Sequence, residues 1–110
     1  MATNTFKSYP SKNVGTAASS VYTCPASTQT TIIGLSMSNT TSSPITTSAY
    51  ITRSAVNYYL VSGATVPVGA SLVIVGGDQK VVMQASDVLY IVNSVASSGD
   101  CFCSLLEVVP

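Results

Sequence analysis

The chain has 110 residues, of which 46% are hydrophobic and only 7% charged; four basic residues balance four acidic ones, and there is no histidine. A chain of this length makes one domain with room for one modest core. The charge balance excludes the electrostatic footprint of a nucleic-acid binder or of a protein drawn to anionic lipid, and the missing histidine removes the commonest general base and metal ligand. Disordered chains are poor in apolar residues and rich in net charge, and neither holds here. Polarity comes instead from Ser and Thr, over a quarter of the residues. No apolar run approaches the roughly 18–20 residues of a membrane span. The opening "MATNTFKSYPSKNVG" lacks the apolar stretch of a secretory signal, so folding in a cytoplasm is expected. Neutral surfaces tend to associate, which points to life inside an assembly.

In chain order, residues 1–15 hold Lys7, Pro10, Lys12 and Gly15 without periodicity and read as an extended arm or irregular lead-in. Residues 16–110 read as the folded domain. "SVYTC" (20–24) is a short strand stopped by Pro25. "TQTTIIGLSMS" (28–38) alternates, with Thr31, Ile33, Leu35 and Met37 on one face and Thr30, Ile32, Gly34 and Ser36 on the other. "NTTSSP" is a turn, and "ITTSAYITR" (45–53) puts Ile45, Thr47, Ala49 and Ile51 on one face. "SAVN" allows a tight hairpin into "VNYYLV" (56–61), followed by "SGATVPVG" (62–69) as a loop. "SLVIV" (71–75), a "GGDQ" hairpin turn, "KVVMQ" (80–84), "DVLYIVN" (87–93) and "DCFCSLLEVV" (100–109) complete the set. About eight strands with turn signals every 8–12 residues predict a single-domain antiparallel β-sandwich, jelly-roll or immunoglobulin-like. Its expected core is Ile33, Leu35, Val73, Val75, Val82, Leu89, Ile91 and Leu105.

Catalytic chemistry finds little to build on. Without histidine no Ser-His-Asp or Cys-His arrangement can be assembled. Asp87 and Asp100 each precede a strand and Asp78 sits in the "GGDQ" turn, places where Asp satisfies local backbone N–H groups. Glu107 lies within the last strand, to pair with a basic residue or face solvent. Cys101 and Cys103, two apart on a strand, share a face and lack the CxxC spacing of zinc or redox sites. Together with Cys24 they read as small buried apolar residues. "GGDQK" lacks the spacing of a phosphate-binding loop. No catalytic, metal or cofactor site is expected, and none of the chemistry of an enzyme.

The segment "YYLVSGATVPVGASLVIVGGDQKVVMQASDVLYIVNS" (58–94), followed by "SLLEV", resembles small virion structural proteins of tailed bacteriophages, including marine and cyanobacterial phages. The features carrying the resemblance are the VPxG loop at Val66–Gly69 and the apolar strand Ser71–Val75. They continue with the Gly-rich hairpin Gly76–Asp78, the V-V-x-x-A-x-D-x-L pattern from Val81 to Leu89, and Leu106-Glu107. "VYTCPASTQTTIIGLSMSNTT" (21–41) looks like the same group's lead-in, with Cys24 where an apolar residue stands in the group. The resemblance implies a virion component assembled in the host cytoplasm. The favoured role is a capsid decoration (cement) protein on the major capsid protein lattice; the others are a neck, tail or fibre component and a host-glycan adhesin. A homo-oligomer is expected, a trimer if it follows capsid three-fold symmetry. Candidate interface residues are Phe6, Lys7, Tyr9 and Lys12 on the arm and Tyr58 and Tyr59, aromatic anchors being the usual concentrators of contact energy.

Overall fold

In the computed structural model, which describes residues 3–76 and 79–109, the chain forms nine β-strands and no helix among those residues. They are β1 (Thr3–Val14), β2 (Ser19–Thr23), β3 (Gln29–Asn39), β4 (Ile45–Arg53), β5 (Val56–Val66), β6 (Ser71–Val75), β7 (Val81–Met83), β8 (Val88–Asn93) and β9 (Gly99–Val109).

The pairings trace one long antiparallel hairpin that has been rolled up. At its closed end β4 pairs with β5; going outward, β3 pairs with β6 and β7, β2 with β8, and β1 with β9. Rolling adds two closing pairings, β3 with β9 and β4 with β8. The result is two facing sheets, ordered β1-β9-β3-β6 with β7 beside β3, and β2-β8-β4-β5. This is a jelly roll. The all-β sandwich read from the sequence stands, and strand order selects the jelly roll over the immunoglobulin-like alternative.

The closed end turns on Ser54 and Ala55, whose φ angles of 53° and 64° are those of a two-residue type I′ hairpin. β5 then continues to Val66, so the expected loop over 62–69 shrinks to the turn in which the Ala70 N–H reaches the Pro67 carbonyl at 3.2 Å. Bulges opposite Ala49 let the strand run on through Gly63. Gly76 and Gln79 form an isolated antiparallel bridge at the expected "GGDQ" hairpin, while Gly77 and Asp78 lie outside the described residues.

Of the expected core, Leu35, Val75, Leu89, Ile91 and Leu105 are buried between the sheets. Ile33, Val73 and Val82 are not: Ile33 is only partly covered, and Val73 and Val82 are 67% and 52% exposed. For Ile33 the cause is one extra residue in β3. Ile32 sits opposite Leu105 and Gly34 opposite Ser104, leaving Ile33 as a bulge. Before it Thr30 and Ile32 point inward; after it Leu35, Met37 and Asn39 do. A single inserted residue flips every later side chain to the other face. Val82 pairs with Thr31, on the outward side before that bulge, and Val73 pairs with Ser36, turned outward by a second extra residue, Ile74 in β6, although Val75 faces in.

Residues 3–14 are a regular strand paired with β9 over almost its whole length, which corrects the reading of an irregular lead-in. The sequence hides it because Thr3–Ser8 are exposed on both faces and so show no alternation. β1 is tied down at its end by Val14, which is buried, and by Gly99 at the start of β9. A Cβ on Gly99 would stand 2.5 Å from Met37 Sδ and 2.8 Å from the Ser38 carbonyl oxygen, so only glycine fits there.

Leu35→Ala and Leu89→Ala should each cost about 2–5 kcal/mol in urea unfolding. Val82→Ala, on the outer side, should stay within about 0.5 kcal/mol of the native protein. Equal losses at all three positions would contradict the bulge.

Candidate functional site

Three described carboxylates, Glu107, Asp87 and Asp100, are each committed to an ion pair. Glu107, buried on the inner side of β9, accepts a hydrogen bond from the Tyr22 hydroxyl and pairs with Lys7 Nζ at 3.0 Å. Tyr22 also meets Thr30 Oγ1 at 2.8 Å, and Cys24 Sγ lies 3.3 Å from the same oxygen while donating to the Thr28 carbonyl. The Tyr22 hydrogen bond and then Lys7 hold the Glu107 carboxyl below the usual range, whereas burial pushes the Tyr22 phenol up. At the same end of the sandwich, where the Cys24 N–H donates to the Asp87 carbonyl at 2.8 Å, the Asp87 carboxylate, 1% exposed, is forked by Arg53 through Nε at 2.9 Å and Nη2 at 2.6 Å. It also accepts the Gln84 N–H at 2.9 Å, the local turn role expected of it. Arg53 above all keeps its carboxyl ionised. Asp100 accepts the Asn13 N–H and pairs with Lys12, both at 3.1 Å, and its pKa is lowered by these two contacts.

Cys24, Cys101 and Cys103 are free and buried. Burial pushes the Cys101 thiol up to about 12 and the Cys103 thiol up to about 11. The lowered carboxyls of Asp87, Asp100 and Glu107 and the raised thiols of Cys101 and Cys103 are shifted away from the range in which a group exchanges protons near neutral pH. Among the described residues no cluster of three or more His, Cys, Asp or Glu is placed to hold a metal ion.

The surfaces are more distinctive than the interior. On the outer side of the β1-β9-β3-β6 sheet, register aligns Phe6, Leu106, Thr31 and Val82 in one row across four strands. Pro10, Phe102, Ser36 and Val73 form a second. Phe6 is 75% exposed, and Phe102, Val73 and Val82 are also open to solvent. The small residues Ser8, Ser104 and Gly34 lie between the rows. Along β9 this face runs from Asp100, neutralised by Lys12, to Val108 with no further charge. Large apolar side chains grouped on one nearly uncharged face are an arrangement found at interaction sites.

The opposite sheet carries a tyrosine row. Tyr90, Tyr50 and Tyr59 sit side by side on β8, β4 and β5, with ring centroids 5.4 and 4.9 Å apart. The sequence shows only the adjacent pair Tyr58 and Tyr59. Register sends Tyr59 to this row and Tyr58, opposite Ile51, to the other side, both exposed at the sheet edge.

The six candidate interface residues therefore divide. Phe6, Lys7, Tyr9 and Lys12 share β1, an edge strand, while Tyr58 and Tyr59 share β5, an edge strand of the other sheet. Phe6 alone of the first group is open and uncommitted: Lys7 and Lys12 are in ion pairs, and Tyr9 packs on Tyr22 at 5.1 Å. The sequence alone does not single out Phe102 and Leu106 as surface residues, and Val73 and Val82 are expected in the core. The alternation Phe102-Ser104-Leu106 was visible, but only the pairing of four strands makes it a face.

No protein-family model matches the chain, and neither does any curated protein. Among solved structures, it is similar to the T13 viral particle of infectious bursal disease virus, with a TM-score of 0.63 and 9% identity over 98% of this chain and 31% of that one. The Gx strain of the same virus gives 0.61 and 13% identity over 99% and 33%. A Bacillus endospore appendage, one of a family of disulfide-linked pili, gives 0.53 and 15% identity over 97% and 85%. The chain thus spans about a third of the viral chains and most of the pilus chain. At these identities the likeness is one of fold alone.

Two measurements test the interior. Asp87 and Glu107 have lowered carboxyl pKa values in the fold, so their contribution to stability is complete above the unfolded carboxylate pKa and is lost as pH falls through the folded one. The melting temperature should drop below about pH 4, and Asp87→Asn should be less stable at pH 7 yet lose less on acidification. An unchanged acid slope in that variant would contradict the assignment. For the thiols, iodoacetamide at about pH 8, near the ordinary thiol pKa, should leave the native protein unlabelled and label all three cysteines after unfolding; rapid native labelling would contradict their burial.

Proposed function

We propose that the chain is a non-enzymatic structural component of a bacteriophage virion. It is a decoration (cement) protein that seats on the major capsid protein lattice and braces the head. The observation that carries this reading is the outer face of the β1-β9-β3-β6 sheet, where Phe6, Phe102, Val73 and Val82 stand open on a surface with almost no charge. Interface cores are depleted of charge and enriched in aromatic residues, as this face is. A capsid-type jelly roll, near neutrality and carboxylates committed to ion pairs all suit a protein whose work is contact. The protein assembles in the host cytoplasm and resides in the virion, with itself and the capsid protein as partners.

The tyrosine row favours a second reading, a host-glycan-binding module. Half-open aromatic rings flanked by hydroxyl side chains are what a sugar stacks upon. That reading requires the isolated domain to be retained on glycan arrays, and Tyr59→Ala to abolish retention.

Copy number separates the virion roles. Quantified gel bands of purified particles should give on the order of hundreds of copies for a lattice-binding protein, against roughly six or twelve for a neck or tail part set by ring symmetry. Phe102→Asp should remain folded and lose at least about tenfold in affinity for heads, as expected of an interface anchor. Absence of the protein from purified heads would overturn the proposal.

A further inference from the structure

β1 is the least covered strand of the sandwich. It pairs on one side with β9, and no described strand pairs along its other side. From Thr3 to Ser8 it is exposed on both faces as well. Such an edge presents a row of N–H and C=O groups that an extended backbone can satisfy, and proteins that remain monomeric blunt it with proline, bulges or inward charge. Here the blunting is confined to one half. Pro10 and the bulge between Ser11 and Val14 protect the C-terminal part; in Thr3–Tyr9 the one charge, Lys7, is neutralised by Glu107, and the run is otherwise regular and open.

We propose that this open run pairs antiparallel with the same run of a second copy, joining two β1-β9-β3-β6 sheets edge to edge about a two-fold axis at Phe6. Phe6 is the midpoint of Thr3–Tyr9 and the most exposed large apolar side chain described. In that register Phe6 faces Phe6 of the other copy, Thr5 faces Lys7, Asn4 faces Ser8 and Thr3 faces Tyr9. No two lysines are directly opposed, and each Lys7 is already neutralised by its own Glu107 at 3.0 Å. The aromatic pair at the axis is a favourable cross-strand contact. A second copy brings the same uncharged surroundings to the axis, and the chain's net charge of zero sets no repulsion between copies. Two-fold closure also caps the edge, so association stops at two instead of growing into a fibre.

The inference rests on the edge strand and not on the virion reading, so the soluble protein alone tests it. Sedimentation of the full chain should give a dimer, and Phe6→Lys a folded monomer. Under mild oxidation the Phe6→Cys protein should form a covalent dimer. Directly opposed residues on antiparallel strands stand about 4.5–5.5 Å apart, within disulfide reach, and the native thiols are buried. Val73→Cys, comparably exposed on β6, is the collision control and should cross-link at least about tenfold more slowly. Circular dichroism confirms that each variant is folded. A native monomer or trimer, or cross-linking at Phe6→Cys no faster than at Val73→Cys, overturns the inference.

Discussion

Everything in this molecule hangs on the two pairings that close the roll. The hairpin contacts between β4 and β5 and between β3 and β6 form along a ribbon, but the sandwich exists only once β9 inserts between β1 and β3, and β8 between β2 and β4. Those pairings join segments far apart in the chain, so their loop-closure entropy is met before the core rewards it. β9 accordingly holds the densest set of obligations. Its inner side supplies Cys101, Cys103, Leu105 and Glu107 to the interior, and its outer side supplies Phe102 and Leu106 to the exposed face.

A chain with eight charged residues has few means of fixing which strand lies where, and it uses six of them at the joints. Lys7–Glu107 and Lys12–Asp100 both clip β1 to β9; Arg53–Asp87 ties the end of β4 to the turn before β8. Partly buried ion pairs add little net stability compared with apolar packing, yet breaking one leaves a costly unpaired charge. They therefore act on register: a one-residue slip of β1 would strand Glu107 beside Tyr22 without its cation. This explains how a strand so exposed along its N-terminal half is held in place at all.

The architecture was legible wherever burial is one-sided. β4 alternates Ile45, Thr47, Ala49, Ile51 as its packing demands, and β8 does the same with Leu89, Ile91 and Asn93. Legibility failed where a local irregularity or a missing neighbour breaks the link between alternation and burial. The bulge at Ile33 swaps the inner face midway along β3, but "TTIIGLSMS" reads as unbroken alternation. β1 shows no pattern because its N-terminal half is exposed on both faces. The surface features were hidden for another reason: Tyr50, Tyr59 and Tyr90, or Phe6, Phe102 and Val73, become neighbours only through strand order and register, which a single sequence does not display. Asp87 was readable as a turn residue; its Arg53 partner, on a different strand, was not.

The inner side of each sheet makes the fold, and the outer sides are left open to other surfaces. Under the proposed function, the outer face of the β1-β9-β3-β6 sheet is where the particle meets the protein. A density map of the intact particle tests this most directly. The chain should lie on the outside of the capsid shell, with Phe102 and Val73 buried against the capsid protein. Density for the chain only at the neck or tail, or on the shell with that face turned to solvent, would contradict the proposal.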